Sequence, residues 1–250
     1  YWDSKKLTAN KQNIITINQQ ISEKFQEAYS YLAVANILKN EWEKFYIKGF
    51  NDNQGNQIIQ NLLNKIILNV SFISSSGQER HLFVSAITPE GLIDYIDELT
   101  DDISQRYILN GKPETKKTKI INKIGNTALI YGYNVLFLHC SFNPENVDTV
   151  IIPELDLAVI NETNPHSITN KKEDTIINIL KCINSNIITK NSTKIKENKN
   201  NFNMFLNKAI ESLHQAKNLH DELEKYYIPA MDFDKLNQKE QELINEFFPN

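Results

Sequence analysis

Residues 106–118 combine, in order, an apolar run, a segment that starts with glycine, and a helical pattern. The run Tyr107, Ile108 and Leu109 predicts a strand, and the spacing of Ile120 and Ile124 predicts a helix after the loop. A strand that turns directly into a helix aims the free backbone N–H groups of the helix N-terminus at the loop. This order of elements favours an α/β sheet whose connecting loop can bind an anion.

The loop partly matches the phosphate-binding octet Gly-x-x-x-x-Gly-Lys-Ser/Thr. Gly111, Lys117 and Thr118 fall in place, whereas Lys116 stands where the second glycine belongs. A left-handed conformation at Lys116 would cost about 1 to 2 kcal/mol. The candidate nucleotide- or phosphate-binding residues are Gly111, Pro113, Thr115, Lys116, Lys117 and Thr118.

In phosphate-binding loops of this type, the lysine neutralises the terminal phosphates and the hydroxyl group of the Ser or Thr holds magnesium. Lys117 and Thr118 could serve these two roles, with Thr118 as the candidate Mg²⁺ ligand. Glu114 places a carboxylate beside the anion, while Lys112 and Lys116 add positive charge. We therefore expect the loop to retain binding of an anion through its positive charge, even if its backbone amides no longer enclose the phosphate closely.

A second apolar run, residues 155–160, ends in Asn161 and Glu162. Phosphate-loop enzymes end such a strand with an aspartate that supports the metal through water. Asn161 keeps an oxygen but loses the charge, and Glu162 could orient water. The candidate catalytic residues are Lys117, Asn161 and Glu162, and weak or absent ATP hydrolysis is expected.

Strand and helix signals alternate through the middle of the chain. Strands are predicted at 81–87, 106–110, 134–139, 150–152 and 155–160, and a helix is predicted to start at 88–91 with Leu92, Ile93, Ile96 and Leu99 on its apolar face. This order predicts an α/β fold, a P-loop NTPase-like parallel sheet flanked by helices.

Long helical patterns occur near both ends, and they match each other. With an offset of 181 positions, residues 28–47 align without a gap to 209–228 with nine identities. The matches include Ala28 with Ala209, Leu32 with Leu213, and Tyr46 with Tyr227. Shared amphipathicity alone would give fewer identities, which favours an internal duplication.

The repeat predicts three parts: a helical arm at 1–70 that ends a first repeat, an α/β domain at 71–181, and a C-terminal helical arm at 182–250. Residues 72–181 have no counterpart ahead of residue 1. A first copy would need roughly 110 more residues, the size of an ordinary domain. We expect this P-loop half to precede Tyr1; a single α/β domain with a helical arm at each end is the alternative.

Composition narrows the functional class. A net charge of −4 gives no reason to expect nucleic acid as the main partner, and no apolar run approaches the length of a membrane helix. Cys140 and Cys182 are too few for a disulfide scaffold and fit a reducing compartment. A cytoplasmic protein without a membrane partner is expected; the oligomeric state is left open.

Strings at residues 80–83, 85–91, 132–135, 139–140, 151–155, 163–166 and 219–228 resemble a little-characterised bacterial family of tandem P-loop ATPases. The resemblance covers essentially the whole chain and implies two fused P-loop domains, each followed by a helical arm. Family members usually carry an intact Gly-x-Pro-Gly-Thr-Gly-Lys-Ser/Thr loop and an Asp-Gly pair where this sequence has Asn161-Glu162. The resemblance implies ATP and Mg²⁺ as candidate ligands.

Three further residues could line a pocket at the mouth of the sheet: His139, Cys140 and His166. They lack the paired spacing of a structural zinc site, so no zinc is expected. Packing of Cys140 and backbone hydrogen bonds at the two histidines are the simpler interpretation.

Three functions follow as hypotheses. The first is a nucleotide-binding protein of the P-loop NTPase fold with a degenerate second site. The second is a catalytically silent interaction or scaffold module that uses its helical arms. The third is a small-molecule kinase that uses Lys117 and His166, for which the sequence shows no acceptor-binding signature.

Overall fold

The computed structural model describes residues 1–67, 70–73, 76–111, 116–162 and 168–248. Its helices are α1 (Ser4–Ala9), α2 (Lys11–Gly49), α3 (Asp52–Ile66), α4 (Ile96–Thr100), α5 (Lys117–Ile130), α6 (Ser185–Lys190), α7 (Ser192–Tyr227) and α8 (Phe233–Phe247). Its strands are β1 (Glu79–Phe83), β2 (Ser85–Thr88), β3 (Gly91–Asp94), β4 (Gln105–Asn110), β5 (Val135–His139), β6 (Val147–Ile152), β7 (Leu157–Glu162) and β8 (Thr175–Asn178). No helix among these residues is both long and apolar enough to cross a bilayer.

Six strands form one sheet in the order β1-β5-β6-β7-β4-β8. β4 is parallel to both of its neighbours, β7 and β8, and β1 is parallel to β5. Because β5 and β7 both run antiparallel to β6, they point in the same direction as each other. The chain is therefore mixed α/β with a mostly parallel sheet flanked by helices, and the parallel direction predicted for β4, β5 and β7 is confirmed.

The prediction of a wholly parallel sheet is wrong at β6, which is antiparallel to both neighbours. Only a single turn of 3-10 helix, Pro153–Leu155, and the left-handed residue Asp156 separate β6 from β7. So short a connection can join antiparallel strands, whereas a parallel pair needs a crossover of a dozen or more residues. The short link therefore dictates the direction of β6.

The helix predicted to start at 88–91 is also wrong, because these residues form the turn of a hairpin. β2 pairs antiparallel with β3, and Leu92 and Ile93 lie in β3 opposite Ile87 and Ala86. Gly91 adopts φ 117, and the Thr88 hydroxyl donates to the Gly91 carbonyl at 2.9 Å. The Thr-Pro-Glu-Gly signal thus closes a tight turn, and the helix begins later, at Ile96.

Helices cover both faces of the sheet, which explains the unbroken apolar runs of its central strands. On one face, Leu157 and Val159 of β7 belong to a core shared with α3 and α5. On the other, Ala158 and Ile160 belong to a cluster that includes Ile96 of α4. Successive side chains of β7 are therefore buried on opposite sides.

One buried ion pair joins β4 to the segment that leads into β8. Arg106 donates from Nε and one terminal nitrogen to the two carboxylate oxygens of Asp174, at 3.0 and 2.9 Å. The guanidinium also donates to the Thr169 carbonyl at 2.8 Å, and both charged side chains are almost fully buried. Such a paired geometry offsets the desolvation of two charges, so loss of either partner would be costly.

The described chain divides into two compact units. The larger contains residues 32–207 and the whole sheet; the smaller contains residues 1–31 and 208–250. In the larger unit, Trp42 of α2 packs against Phe202 of α7. In the smaller unit, Ile17 and Ile21 of α2 cluster with Leu223 of α7. The boundaries predicted at 70 and 181 stay predictions.

The prediction that helices occupy corresponding places at the offset of 181 is confirmed. α1 corresponds to α6 and α3 to α8 at both ends, and α2 and α7 begin at corresponding residues. The backbone contacts correspond as well. In the larger unit, the Asn184 amide donates to Gly49 and the Asn51 amide donates to Cys182; in the smaller unit, Asp3 donates to Ala230 and Asp232 donates to Tyr1.

Candidate functional site

The candidate site lies where β4 ends and α5 begins, at the carboxyl edge of the parallel strands. β4 ends at Asn110, in register with Glu162 at the end of β7 and with Asn178 at the end of β8. α5 begins at Lys117 with no side-chain cap on its first turn. A helix N-terminus at this edge of an α/β sheet is a common place for an anion to bind.

Lys117 is the best-defined predicted site residue. It is buried, with 2% of its surface exposed, although it carries a cationic side chain. Its Nζ donates to the carbonyl oxygens of Gly111 (3.1 Å) and Glu162 (3.2 Å). The ammonium group therefore lies between Gly111, the residue after β4, and Glu162, the last residue of β7, where it is desolvated and held by carbonyl dipoles. The structure thus brings Lys117, Gly111 and Glu162 together.

Lys116 adopts the left-handed conformation, with φ 56 and ψ 23, at the position where the octet pattern has its second glycine. Its side chain pairs with the carboxylate of Asp52 in α3, at 2.7 Å, and its Nζ lies 5.3 Å from the centre of the Phe50 ring. The hydrogen bond from Lys116 lowers the pKa of Asp52 below its usual value. A backbone that normally requires glycine is therefore adopted by a residue whose side chain is anchored elsewhere.

Asn161 is buried at the end of β7, and it faces a carboxylate that the sequence analysis did not select. Its side-chain amide donates to Asp148 of β6 at 2.8 Å, and both residues are buried. A carboxyl group thus lies one strand away from the position where a phosphate-loop enzyme would carry an aspartate. The signal was a lone acid in the apolar run 147–152.

Glu162 is held at the edge of the sheet by its side chain as well as by its backbone. Its carboxylate accepts from the Asn110 amide at 2.5 Å, which ties the ends of β7 and β4 together. This hydrogen bond fixes the orientation of the Glu162 carboxylate. A base that activates water must, in addition, lie within hydrogen-bond distance of the water that attacks the substrate. Its predicted catalytic role stays a prediction.

Thr118 follows Lys117 in the first turn of α5 and is partly exposed, as a ligand to a bound ion would have to be. The predicted residues Pro113, Thr115 and His166, with Lys112 and Glu114, lie outside the described residues. The convergence of His166 with His139 and Cys140 therefore stays a prediction.

His139 has a partner that the sequence did not indicate. Its Nδ1 contacts the Pro144 carbonyl at 2.5 Å, so this nitrogen donates, and its Nε2 lies 2.7 Å from Nδ1 of His81. Cys140 is a buried free thiol. The parallel register of β1 and β5 brings the two histidines together, and chain spacing gives no signal for such a pair. Within the described residues, no group of three or more His, Cys, Asp or Glu side chains is placed to hold a metal ion.

Comparison with protein-family models, with curated proteins and with solved structures finds no match.

The left-handed backbone at Lys116 leads to the first prediction. Lys116→Gly should be more stable than Lys116→Ala by about 1 kcal/mol, because only alanine keeps a Cβ in this conformation. Both variants lose the ion pair with Asp52 and the contact with Phe50, so these effects cancel in the comparison. Urea unfolding of the two proteins measures the difference.

Lys123 provides the control, because it is exposed in the interior of the same helix. There the order should reverse, with Lys123→Ala more stable than Lys123→Gly by about 1 kcal/mol. An alanine variant at 116 that equals or exceeds the glycine variant in stability would contradict the strain argument.

Proposed function

We propose that this chain is a nucleotide-binding protein of the P-loop NTPase fold, and that its β4–α5 loop binds the terminal phosphates of ATP. The observation that carries the proposal is the buried Lys117 ammonium at the N-terminus of α5, between the carbonyls of Gly111 and Glu162. A charge desolvated at this edge attracts an anion more strongly than a surface lysine does. The left-handed turn at Lys116 supports the same loop geometry.

Metal binding is weaker in this proposal than phosphate binding. Thr118 would hold Mg²⁺ together with the phosphates, as the Ser/Thr hydroxyl of a phosphate loop does. At the end of β7 the neutral Asn161 replaces the expected acid, and its amide is bonded to Asp148. Phosphoryl transfer depends on Mg²⁺ to neutralise charge at the terminal phosphate. Because the carboxylate that would support this ion is displaced to β6, the site favours binding of nucleotide over its hydrolysis.

A catalytically silent interaction module is the second candidate. Two contacts favour it: Lys116 is paired with Asp52, and Asn161 is paired with Asp148, so two residues of the loop and strand end are engaged by the protein itself. The small-molecule kinase hypothesis depends on His166, which lies outside the described residues. Nucleotide binding separates the first two candidates.

The second prediction is a thermal shift on nucleotide binding. Mg-ATP at about ten times its Kd should stabilise the native chain by about 1.4 kcal/mol, because a ligand that binds only the folded state adds its binding free energy. For a protein of this size the melting temperature should rise by about 2 to 5 °C. Differential scanning fluorimetry with and without Mg-ATP measures the shift.

Lys117→Met should abolish the shift, because it keeps an unbranched side chain of similar length and removes the ammonium group. Since it also removes the two hydrogen bonds to the carbonyls of Gly111 and Glu162, each variant is compared with itself, with and without ligand. Lys123→Met is the matched control: it removes the same charge from an exposed site on α5 and should retain the shift. Equal melting temperatures for the native chain at all Mg-ATP concentrations would favour the silent module.

The third prediction concerns hydrolysis. The native chain should show no ATPase activity above background, since Lys116 in place of the second glycine and Asn161 in place of the acid together cost about three to four orders of magnitude in rate. Asn161→Asp alone would bury two carboxylates side by side and should destabilise the protein. Combining it with Asp148→Asn should restore the lost stability, because the double variant has the carboxyl group at position 161 and the amide group at position 148.

Adding Lys116→Gly to the double variant Asn161→Asp, Asp148→Asn should raise nucleotide affinity and, to a smaller extent, the rate of hydrolysis. Phosphate release and urea unfolding, measured on the same preparations, separate the two effects. A turnover near about 1 per second from the unmodified, purified chain would contradict the proposed loss of activity. Glu162 would then be the first residue to test as a compensating group.

A further inference from the structure

α8 presents an exposed apolar face, which we call the α8 face: Leu236, Leu243, Ile244 and Phe247. These side chains recur at helical spacing on a helix that has no buried residue. A helix of 15 residues is marginal in water without packing, so an amphipathic helix of this length is normally covered on its apolar side. The question is what covers it.

The repeat answers this through α3, the counterpart of α8 at the offset of 181. Leu243, Ile244 and Phe247 correspond to Leu62, Leu63 and Ile66. The three residues of α3 are 5%, 7% and 3% exposed, in the core shared with α5 and the sheet, whereas those of α8 are 40%, 43% and 69% exposed. The same positions are thus apolar in both helices and are buried in only one.

The start of each helix is built the same way. Asn51 caps α3 and Asp232 caps α8, each with its side-chain oxygen accepting from a backbone amide of the first turn. The amide of Asn51 donates to the carbonyl of Cys182, where the chain leaves the sheet domain through β8. The amide of Asp232 donates to the carbonyl of Tyr1 at the same distance, 2.7 Å. Tyr1 therefore holds, beside α8, the place that Cys182 holds beside α3.

We propose that the α8 face is the docking surface for an α/β domain built like residues 71–181 and joined to the chain ahead of Tyr1. In the described domain, the chain passes from β8 through Cys182, which contacts the start of α3, so the sheet lies beside α3. If the chain of a preceding domain entered Tyr1 in the same way, the sheet of that domain would lie beside α8. The partner supplies an apolar face like the one that α5 and its sheet present to Leu62, Leu63 and Ile66.

A second copy of this chain is a poorer occupant. The surface of its α/β domain that would receive α8 is already covered by its own α3, whose face is buried. Docking between copies would have to displace that helix and expose its core residues. The covalently joined domain meets no such cost.

The test compares the protein encoded by the complete natural gene with the 250-residue chain. Hydrogen exchange of the α8 amides should be at least about tenfold slower in the complete protein, because a docked helix must first open. Leu243→Glu combined with Ile244→Glu should remove this protection. Gln241→Glu, at a polar position of α8 outside the α8 face, should leave it intact.

In the 250-residue chain the double variant should leave circular dichroism unchanged, which separates loss of docking from loss of folding. Equal exchange of α8 in the two proteins would overturn the proposal, as would a gene that encodes no α/β domain ahead of Tyr1. Protection that grows with the concentration of the 250-residue chain, and is lost in the double variant, would assign the face to a second copy and overturn it as well.

Discussion

The pairing of β4 with parallel strands on both sides is the constraint on which the site depends. Its backbone pairs with β7 along its whole length and with β8 over residues 107–110, so its last residue lies beside the ends of both neighbours at the carboxyl edge of the sheet. The next helix, α5, begins at Lys117, whose Nζ donates back to Gly111, just after β4, and to Glu162, which ends β7. One cation thus links the ends of two strands to the N-terminus of a helix.

The acidic group expected near the end of β7 is found on the neighbouring strand instead. Asn161 ends the strand where an acid is expected, and the carboxylate of Asp148 lies beside it on β6. The antiparallel course of β6 makes this possible, because it places residue 148 opposite the end of β7. The short link at 153–155 that reverses the chain therefore shapes the electrostatics of the site as well as the sheet.

Sequence reasoning predicted the elements that depend on local pattern. The strand at β4, the helix at α5 and the helices at the offset of 181 follow from periodicity and self-similarity. It failed where local signals have two solutions: Thr88 to Gly91 suits a helix start and a hairpin turn equally, and only pairing with β2 decides. It also missed Asp148, Asp52 and His81, because contacts between distant segments depend on strand register and helix docking.

Binding of pyrophosphate is the most direct test of the central claim that the β4–α5 loop is a phosphate site. In a titration followed by backbone NMR, the amides of Lys116, Lys117 and Thr118 should shift together and saturably. The N-terminal amides of α7, which begins elsewhere in the chain, should not move. Absence of saturable shifts at 116–118, or stronger shifts in another segment, would contradict the account.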